Sequence, residues 1–130
     1  MRSLAALLVV ILFAAVHADE PAKTLTPAEA AKKVNEKCTV EMEVKAVGMA
    51  KSGKAVFLNS ESDFKSPKNF TIMLGQSVLE KLKKAKIDDP AAHYKGKTVR
   101  VTGTVKIYKE KPEIIVNEPE EIVIVSTEKK

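Results

Sequence analysis

The chain of 130 residues has little of what metal sites and catalytic centres need: one cysteine, two histidines and no tryptophan. A single cysteine, Cys38, excludes an intramolecular disulfide, and we expect it to pack as a small apolar residue on or near a strand. His93 has no cysteine or histidine partner at metal-ligand spacing, so no zinc site is predicted. Neither a nucleophile–base–orienter set nor a phosphate-binding glycine loop is present. We therefore expect no catalytic residues, no metal and no cofactor.

Only one long apolar run is present, at Leu4–Val16. It follows Arg2 and ends at Ala18, which is the pattern of a secretory signal peptide with a small-residue cleavage site. Its 13 residues are fewer than the roughly 17 to 25 that span a hydrocarbon core. We predict a signal peptide over 1–18, a secreted or periplasmic mature protein, and no membrane span after cleavage.

The remaining 112 residues suffice for one domain with a core of its own. Without Arg2 the chain has 21 Lys+Arg and 17 Asp+Glu, a formal charge of +4. This mild positive charge favours solubility and permits a polyanionic partner without requiring one. We predict a flexible leader over 19–25, a domain over 26–126 and a tail over 127–130, and we expect a monomer.

Alternating apolar and polar residues predict a mainly β domain. Strands are expected at 38–48, 54–59, 69–74, 98–108 and 113–116, and residues 122–125 either continue the fifth strand or add a short sixth.

Two helices are predicted from capping boxes. The first opens at Thr26 with Pro27 in its first turn and runs to about Asn35. The second opens at Ser77, between the third and fourth strands, and is stopped by Asp88-Asp89-Pro90.

The longest predicted strand, Thr98 to Tyr108, carries a glycine on its inner face. Gly103 lies there among Val99, Val101, Val105 and Ile107. A glycine inside a strand indicates a bulge or a strong coil. Five strands, a helix after the third, and such a glycine are typical of a five-stranded Greek-key barrel, the OB-fold.

Several stretches resemble the OB-fold domains of the anticodon-binding, nucleic-acid-binding class, and most of all small exported bacterial versions with an opening helix. The resemblance implies that an aromatic on the second strand, here Phe57, stacks a base. Relatives often follow that aromatic with Leu-Arg-Asp, whereas this chain has Leu58-Asn59-Ser60. The stretches that carry the resemblance are 54–59, 69–72, 96–105, Tyr108 and 112–116.

Binding of a single strand needs a basic groove with aromatic stacking platforms. We predict such a surface from Lys51, Lys54, Phe57, Asn59, Lys65, Lys68, Lys106, Tyr108, Lys109 and Lys111.

The function predicted is that of an exported, non-catalytic module that binds single-stranded nucleic acid or another extended polyanion. The alternative is a module that binds a protein partner, an oligosaccharide or a small ligand. In that alternative the lysines are ordinary solvated positions and Phe57 belongs to the core. Alternation does not decide the face of Phe57, because Val56 and Leu58 on either side are apolar too.

Overall fold

The structure is a computed structural model that describes residues 23–126, the last of them by its backbone alone. The predicted signal peptide over 1–18 and the tail over 127–130 lie outside the described residues. Within 23–126, no helix has the length and apolar character needed to cross a membrane.

The described residues form eight strands, three short helices and one 3₁₀ turn. The strands are β1 (Thr24–Leu25), β2 (Lys37–Glu43), β3 (Ala46–Met49), β4 (Ala55–Asn59), β5 (Thr71–Gly75), β6 (Thr98–Tyr108), β7 (Lys111–Val116) and β8 (Ile122–Ser126). The helices are α1 (Pro27–Ala30), α2 (Gln76–Lys84) and α3 (Pro90–Tyr94), and the 3₁₀ turn is Pro119–Glu121.

The strands form one sheet in the order β1-β2-β6-β7-β5-β4-β3, with β8 added to β6. All pairs are antiparallel except β1–β2 and β5–β7. The mainly β prediction is confirmed, but the strand number of five is wrong. β2 and β3 lie far apart in the sheet order and only two residues apart in the chain, so the sheet must curl to bring them together.

The first predicted strand is divided because the chain changes partners at Val44. Before it, β2 pairs with β6; after it, β3 pairs with β4. The N–H of Val44 donates to the carbonyl of Lys97, and the carbonyl of Val44 accepts from the N–H of Gly96. The next N–H, of Lys45, donates to the carbonyl of Asn59. These hydrogen bonds hold Val44 and Lys45 as a corner between β2 and β3, so the two residues are not part of either strand.

Two further strands extend the sheet beyond the predicted five. Thr24 and Leu25, placed in the predicted leader, form β1 beside Thr39 and Val40, and Leu25 is buried in the core. β8 is a separate strand rather than an unbroken continuation of β7: both pair antiparallel with β6, but the turn Pro119–Glu121 lies between them.

The helices begin and end differently from prediction. The capping box of Thr26 with Glu29 is present, but α1 ends at Ala30 because Asn35, at φ 69°, turns the chain so that its N–H donates to the carbonyl of Val105. The capping box predicted at Ser77 is wrong: β5 runs directly into α2, whose cap is Gly75. The predicted stop after α2 instead opens α3, which Asp89 caps.

One face of the curled sheet forms the core. Its side chains are almost all aliphatic, and the two aromatic exceptions are Phe70 and Tyr94. The fully buried strand residues on this face are Val40, Val56, Leu58, Ile72, Leu74, Val99, Val101, Val105, Ile114 and Val116.

Gly103 lies on the inner side of β6, as predicted, but without a bulge. The β2–β6 register is continuous through Gly103 and its partner Cys38. A Cβ atom at Gly103 would lie 2.6 Å from Cγ2 of Ile114, so glycine is needed for close approach of β7. Ile107, predicted to face inside, is exposed, because the end of β6 extends beyond the core as a hairpin with β7.

Candidate ligand-binding cleft

A cleft of about 640 Å³ lies on the outer face of β3, β4, β5 and β7. Its floor comes from residues that alternate with the core positions. Phe57 pairs with Gly48 on one side and Met73 on the other, while the neighbouring Leu58 pairs with Ile72 in the core. Paired residues share a face of a sheet, so Phe57 belongs to the outer face and lines the cleft.

Three aromatic side chains surround this cleft. Phe57 lies on the floor, Phe64 comes from the loop between β4 and β5, and Tyr108 comes from the end of β6. Phe64 and Tyr108 are 60% and 56% exposed. Exposed rings can stack against planar groups of a ligand.

Three lysines complete the rim: Lys65, Lys109 and Lys111. The Lys65 ammonium lies 5.9 Å from the centroid of the Phe64 ring, and the Lys109 ammonium lies 5.4 Å from that of Tyr108. Each rim aromatic therefore has a cation within reach of its face. The pairing gives the cleft neighbouring apolar and positive contact points.

Six of the ten predicted binding residues thus line one cleft: Phe57, Asn59, Lys65, Tyr108, Lys109 and Lys111. The other four do not line it. Lys51, Lys54 and Lys68 are exposed in the loops that precede β4 and β5. Lys106 lies on the outside of β6, where its ammonium donates to Oδ1 of Asn35 at 3.3 Å.

The loop between β4 and β5 is held in place by its own polar side chains. Asp63 accepts from the N–H of Lys65 at 2.9 Å, and Ser66 accepts from that of Lys68 at 3.2 Å. The Lys111 ammonium donates to the carbonyl of Lys65 at 3.2 Å and so joins the β6–β7 hairpin to the loop. This hydrogen bond links two walls of the cleft.

A row of polar residues crosses the floor beside Phe57. Asn59 pairs with Thr71, and Thr71 pairs with Glu113, so the row runs over β4, β5 and β7. Asn69 joins it from the loop, and all four residues line the cleft. Asn59, Asn69 and Glu113 are buried although they lie on the outer face.

The hydrogen bonds in this row fix the orientation of its amides. The N–H of Glu61 can only donate, and it donates to Oδ1 of Asn69 at 3.0 Å. Nδ2 of Asn69 must then donate, and it does so to Oδ1 of Asn59 at 3.1 Å and to the Thr71 hydroxyl at 3.1 Å. Oδ1 of Asn59 also accepts from Thr71 at 2.8 Å. Among residues 23–126, Nδ2 of Asn59 donates no hydrogen bond within this row.

Glu113 is the acidic residue among those that line the cleft, and it is only 8% exposed. Within residues 23–126 its carboxylate forms no ion pair and accepts no hydrogen bond. Burial raises the pKa of this carboxyl above its ordinary value, because desolvation disfavours the charged form. The floor thus contains one carboxyl group whose charged form is disfavoured by desolvation.

Phe64, Asn69, Thr71 and Glu113 are among the cleft residues that the sequence prediction missed. Phe64 is a lone aromatic inside a polar loop, which is a signal that could have marked it. Asn69 and Glu113 carry polar side chains that normally lie exposed. Their burial depends on the loop that covers them, which no local pattern reveals.

Other reactive groups lie apart from the cleft. Cys38 is half-buried on β2, and burial raises the pKa of its thiol. His93 packs edge-on against Tyr94, with ring centroids 4.7 Å apart. Over residues 23–126, no group of three or more His, Cys, Asp or Glu side chains could hold a metal ion.

No protein-family model matches the chain, and no curated protein sequence matches it. Solved structures do match. OBody AM3L15 bound to hen egg-white lysozyme is 19% identical with a TM-score of 0.56, over 83% of this chain and 98% of that one. The fold is of the OB-fold class.

Aminoacyl-tRNA synthetases share this OB-fold. The aspartyl-tRNA synthetase from Entamoeba histolytica is 15% identical with a TM-score of 0.56, over 94% of this chain and 25% of that one. The asparaginyl-tRNA synthetase from Pyrococcus horikoshii is 20% identical with a TM-score of 0.52, over 78% of this chain and 22% of that one. The chain thus corresponds to about a quarter or less of these synthetases, and the likeness concerns the fold.

Proposed function

We propose that this protein is a non-catalytic binding module whose cleft takes a single-stranded nucleic acid or another extended polyanion. The observation that carries the proposal is the distribution of aromatics. Of the five in the described residues, Phe70 and Tyr94 are in the core, while Phe57, Phe64 and Tyr108 turn outward around one cleft. Stacking platforms next to cations are what a single strand requires.

The charges around the cleft support the same proposal. Lys65, Lys109 and Lys111 line it, and the exposed Lys51 and Lys54 lie in the loop beside it. Phosphates of a bound strand would lie near the rim while bases reach the rings. The one carboxylate on the floor, that of Glu113, has a raised pKa and is covered by neighbouring side chains.

The test is fluorescence anisotropy with labelled single-stranded DNA and RNA at low and moderate salt. We expect Tyr108→Ala to weaken binding by roughly 5- to 150-fold, because stacking contributes about 1–3 kcal/mol per base. The paired change Lys65→Gln with Lys109→Gln should reduce the slope of log affinity against log salt by about 1.4, since each phosphate contact on a single strand contributes about 0.7.

The matched control removes two lysines from α2, in the variant Lys83→Gln with Lys84→Gln. It lowers the net charge by the same amount at positions that do not line the cleft. This control should leave the salt slope nearly unchanged. Absence of binding by the intact protein at low salt, where electrostatic attraction is strongest, would contradict the nucleic-acid proposal.

A second candidate function rests on the exposed apolar rim. Met49 is 59% exposed beside Phe64 and Tyr108, and exposed apolar patches mark protein interaction sites. The similar OBody was solved bound to a protein, lysozyme. Binding that persists at moderate salt and is lost in Met49→Ala and Phe64→Ala would favour a protein partner.

Export belongs to the same proposal. We infer secretion from the apolar run Leu4–Val16 and the boundary at Ala18. Intact-mass measurement of protein recovered from the native host should give a chain that begins at Asp19. Recovery of exported protein that retains Met1 would contradict it.

A further inference from the structure

Two rows of outward-facing residues leave the cleft and cross the sheet toward β6. In one row Phe57 pairs with Met73, and Met73 pairs with Ile115. In the other row Glu113 pairs with Lys106. Because paired residues share a face, Ile115 and Lys106 lie on the same outer surface as the cleft.

Both rows end at a second, smaller groove of about 430 Å³. Ile115 and Lys106 line it, together with Lys37 on β2. Lys37 pairs with Thr104, which also lines the groove. The residues around this groove are Lys37, Thr102, Gly103, Thr104, Lys106, Ile115, Asn117 and Glu121.

The chemistry of the second groove suits an anion. Lys37 and Lys106 are exposed and supply two ammonium groups, of which that of Lys106 also donates to Asn35. The Thr104 hydroxyl lies beside them, whereas that of Thr102 is hydrogen-bonded to Thr39. The acidic member, Glu121, already accepts the N–H groups of Asn117 at 2.7 Å and Glu118 at 3.3 Å. One oxygen of this carboxylate, Oε1, is therefore already hydrogen-bonded within its own turn.

We propose that the two grooves form one track, in which a strand bound in the cleft continues over Met73 and Ile115 and places a phosphate between Lys37 and Lys106. This inference rests on the proposed function and extends its footprint. Ile115 is 41% exposed, which offers an apolar contact between the two charged regions. The ligand expected on this track is a polyanion, because lysines lie at both of its ends.

The length of the track sets the ligand size. From β4 over β5 and β7 to β6 there are three strand spacings, about 14 Å at roughly 4.8 Å each. A strand whose first bases occupy the aromatic cleft would need this additional length to reach the second groove. OB-folds bind about 4 to 16 nucleotides. An oligonucleotide of about four nucleotides should occupy the cleft alone, and one of about ten should reach the second groove.

The experiment compares these two oligonucleotides, labelled and single-stranded, on the whole protein by anisotropy across a salt series. The double variant Lys37→Gln with Lys106→Gln should weaken binding of the longer one by about threefold to thirtyfold. Its salt slope should fall by as much as about 1.4, at about 0.7 per phosphate contact. Binding of the shorter oligonucleotide should stay unchanged.

Two further variants sharpen the test. Ile115→Glu places a negative charge in the middle of the track, so it should weaken the longer oligonucleotide and spare the shorter one. Lys83→Gln with Lys84→Gln on α2 is the charge-matched control and should spare both. Thermal unfolding of each variant checks that the fold is retained.

Each outcome decides between the proposals. If the shorter oligonucleotide binds and the longer one is insensitive to Lys37, Lys106 and Ile115, the track is wrong while the cleft stands. Equal weakening of both lengths by the double variant also overturns the track, because the effect is then one of general charge. If neither oligonucleotide binds the intact protein, the proposed function and the track both fail.

Discussion

The two faces of β4, β5 and β7 carry different kinds of side chain, although successive residues of the same strands form both faces. The inner face presents Leu58, Ile72 and Ile114, which are fully buried. The outer face presents mixed side chains at the alternating positions, among them Phe57, Glu113 and Ile115. Packing alone explains the inner set, since aliphatic residues fill a small curled sheet.

The outer set has a different explanation. A strand that faces solvent would be well served by threonine, lysine or glutamate, yet Phe57 and Ile115 lie there partly exposed. Beside them a buried carboxylate, that of Glu113, has no partner among the described residues. Partly exposed apolar residues and a buried carboxylate on one face, next to a regular core on the other, are the contrast on which the proposed ligand contact rests.

Truncation of adjacent residues on the two faces should separate their roles most strongly. Leu58→Ala should lower the free energy of unfolding by about 2–5 kcal/mol, because it leaves a cavity in the core. Phe57→Ala, at the next position on the outer face, should lower it less than half as much and should affect binding instead. Chemical denaturation of both variants provides the measurement, and equal losses would contradict the assignment of faces.

Crowding of the inner face at Gly103 should give the next largest effect. Gly103→Ala places a Cβ atom 2.6 Å from Cγ2 of the fully buried Ile114, and overpacking of a core costs about 1–3 kcal/mol. Gly48→Ala on the outer side is the matched control, since nothing lies within 4 Å of the Cβ atom that this substitution would add. A melting temperature unchanged in Gly103→Ala would show that β7 can move away from β6.

The smallest effect concerns the carboxylate on the outer face. Burial raises the pKa of Glu113 in the folded protein. Protonation of this carboxyl therefore stabilises the fold. That stabilisation is fully present below the unfolded pKa of about 4.3 and is lost as pH rises through the folded pKa. Glu113→Gln should therefore raise the free energy of unfolding at neutral pH, and the gain should shrink toward pH about 4. Denaturation at both pH values tests this, and an equal loss at both would reveal a partner for the carboxylate.

Much of the strand arrangement could be predicted because alternation is a property of the chain alone. The buried faces of the strands at Phe70–Leu74 and Val99–Val105 follow from it directly. Phe57 could not be assigned in that way, because it lies between two apolar neighbours. Its face depends on register with Gly48 and Met73, which only the assembled sheet fixes.

Boundaries and cleft contacts depend on partners distant in sequence. α1 ends early because Asn35 bonds Val105, and the lysines divide between two grooves because Lys109 and Lys111 lie in a hairpin that projects past the core. The lysine side chains alone gave no indication of this division. The sequence pattern predicts the residue types of a binding surface more reliably than it predicts which of them meet.

The pairing of β2 with β6 has a consequence for folding rate. This central ladder joins residues far apart in the chain: Glu41 and Arg100, which form an ion pair at 2.9 Å, are 59 positions apart. Sheets dominated by such distant contacts fold in about milliseconds to seconds, because loop closure precedes any gain from pairing. Because β1 and β8 lie at opposite ends of residues 23–126, nearly all of these residues must be available before the sheet can be completed.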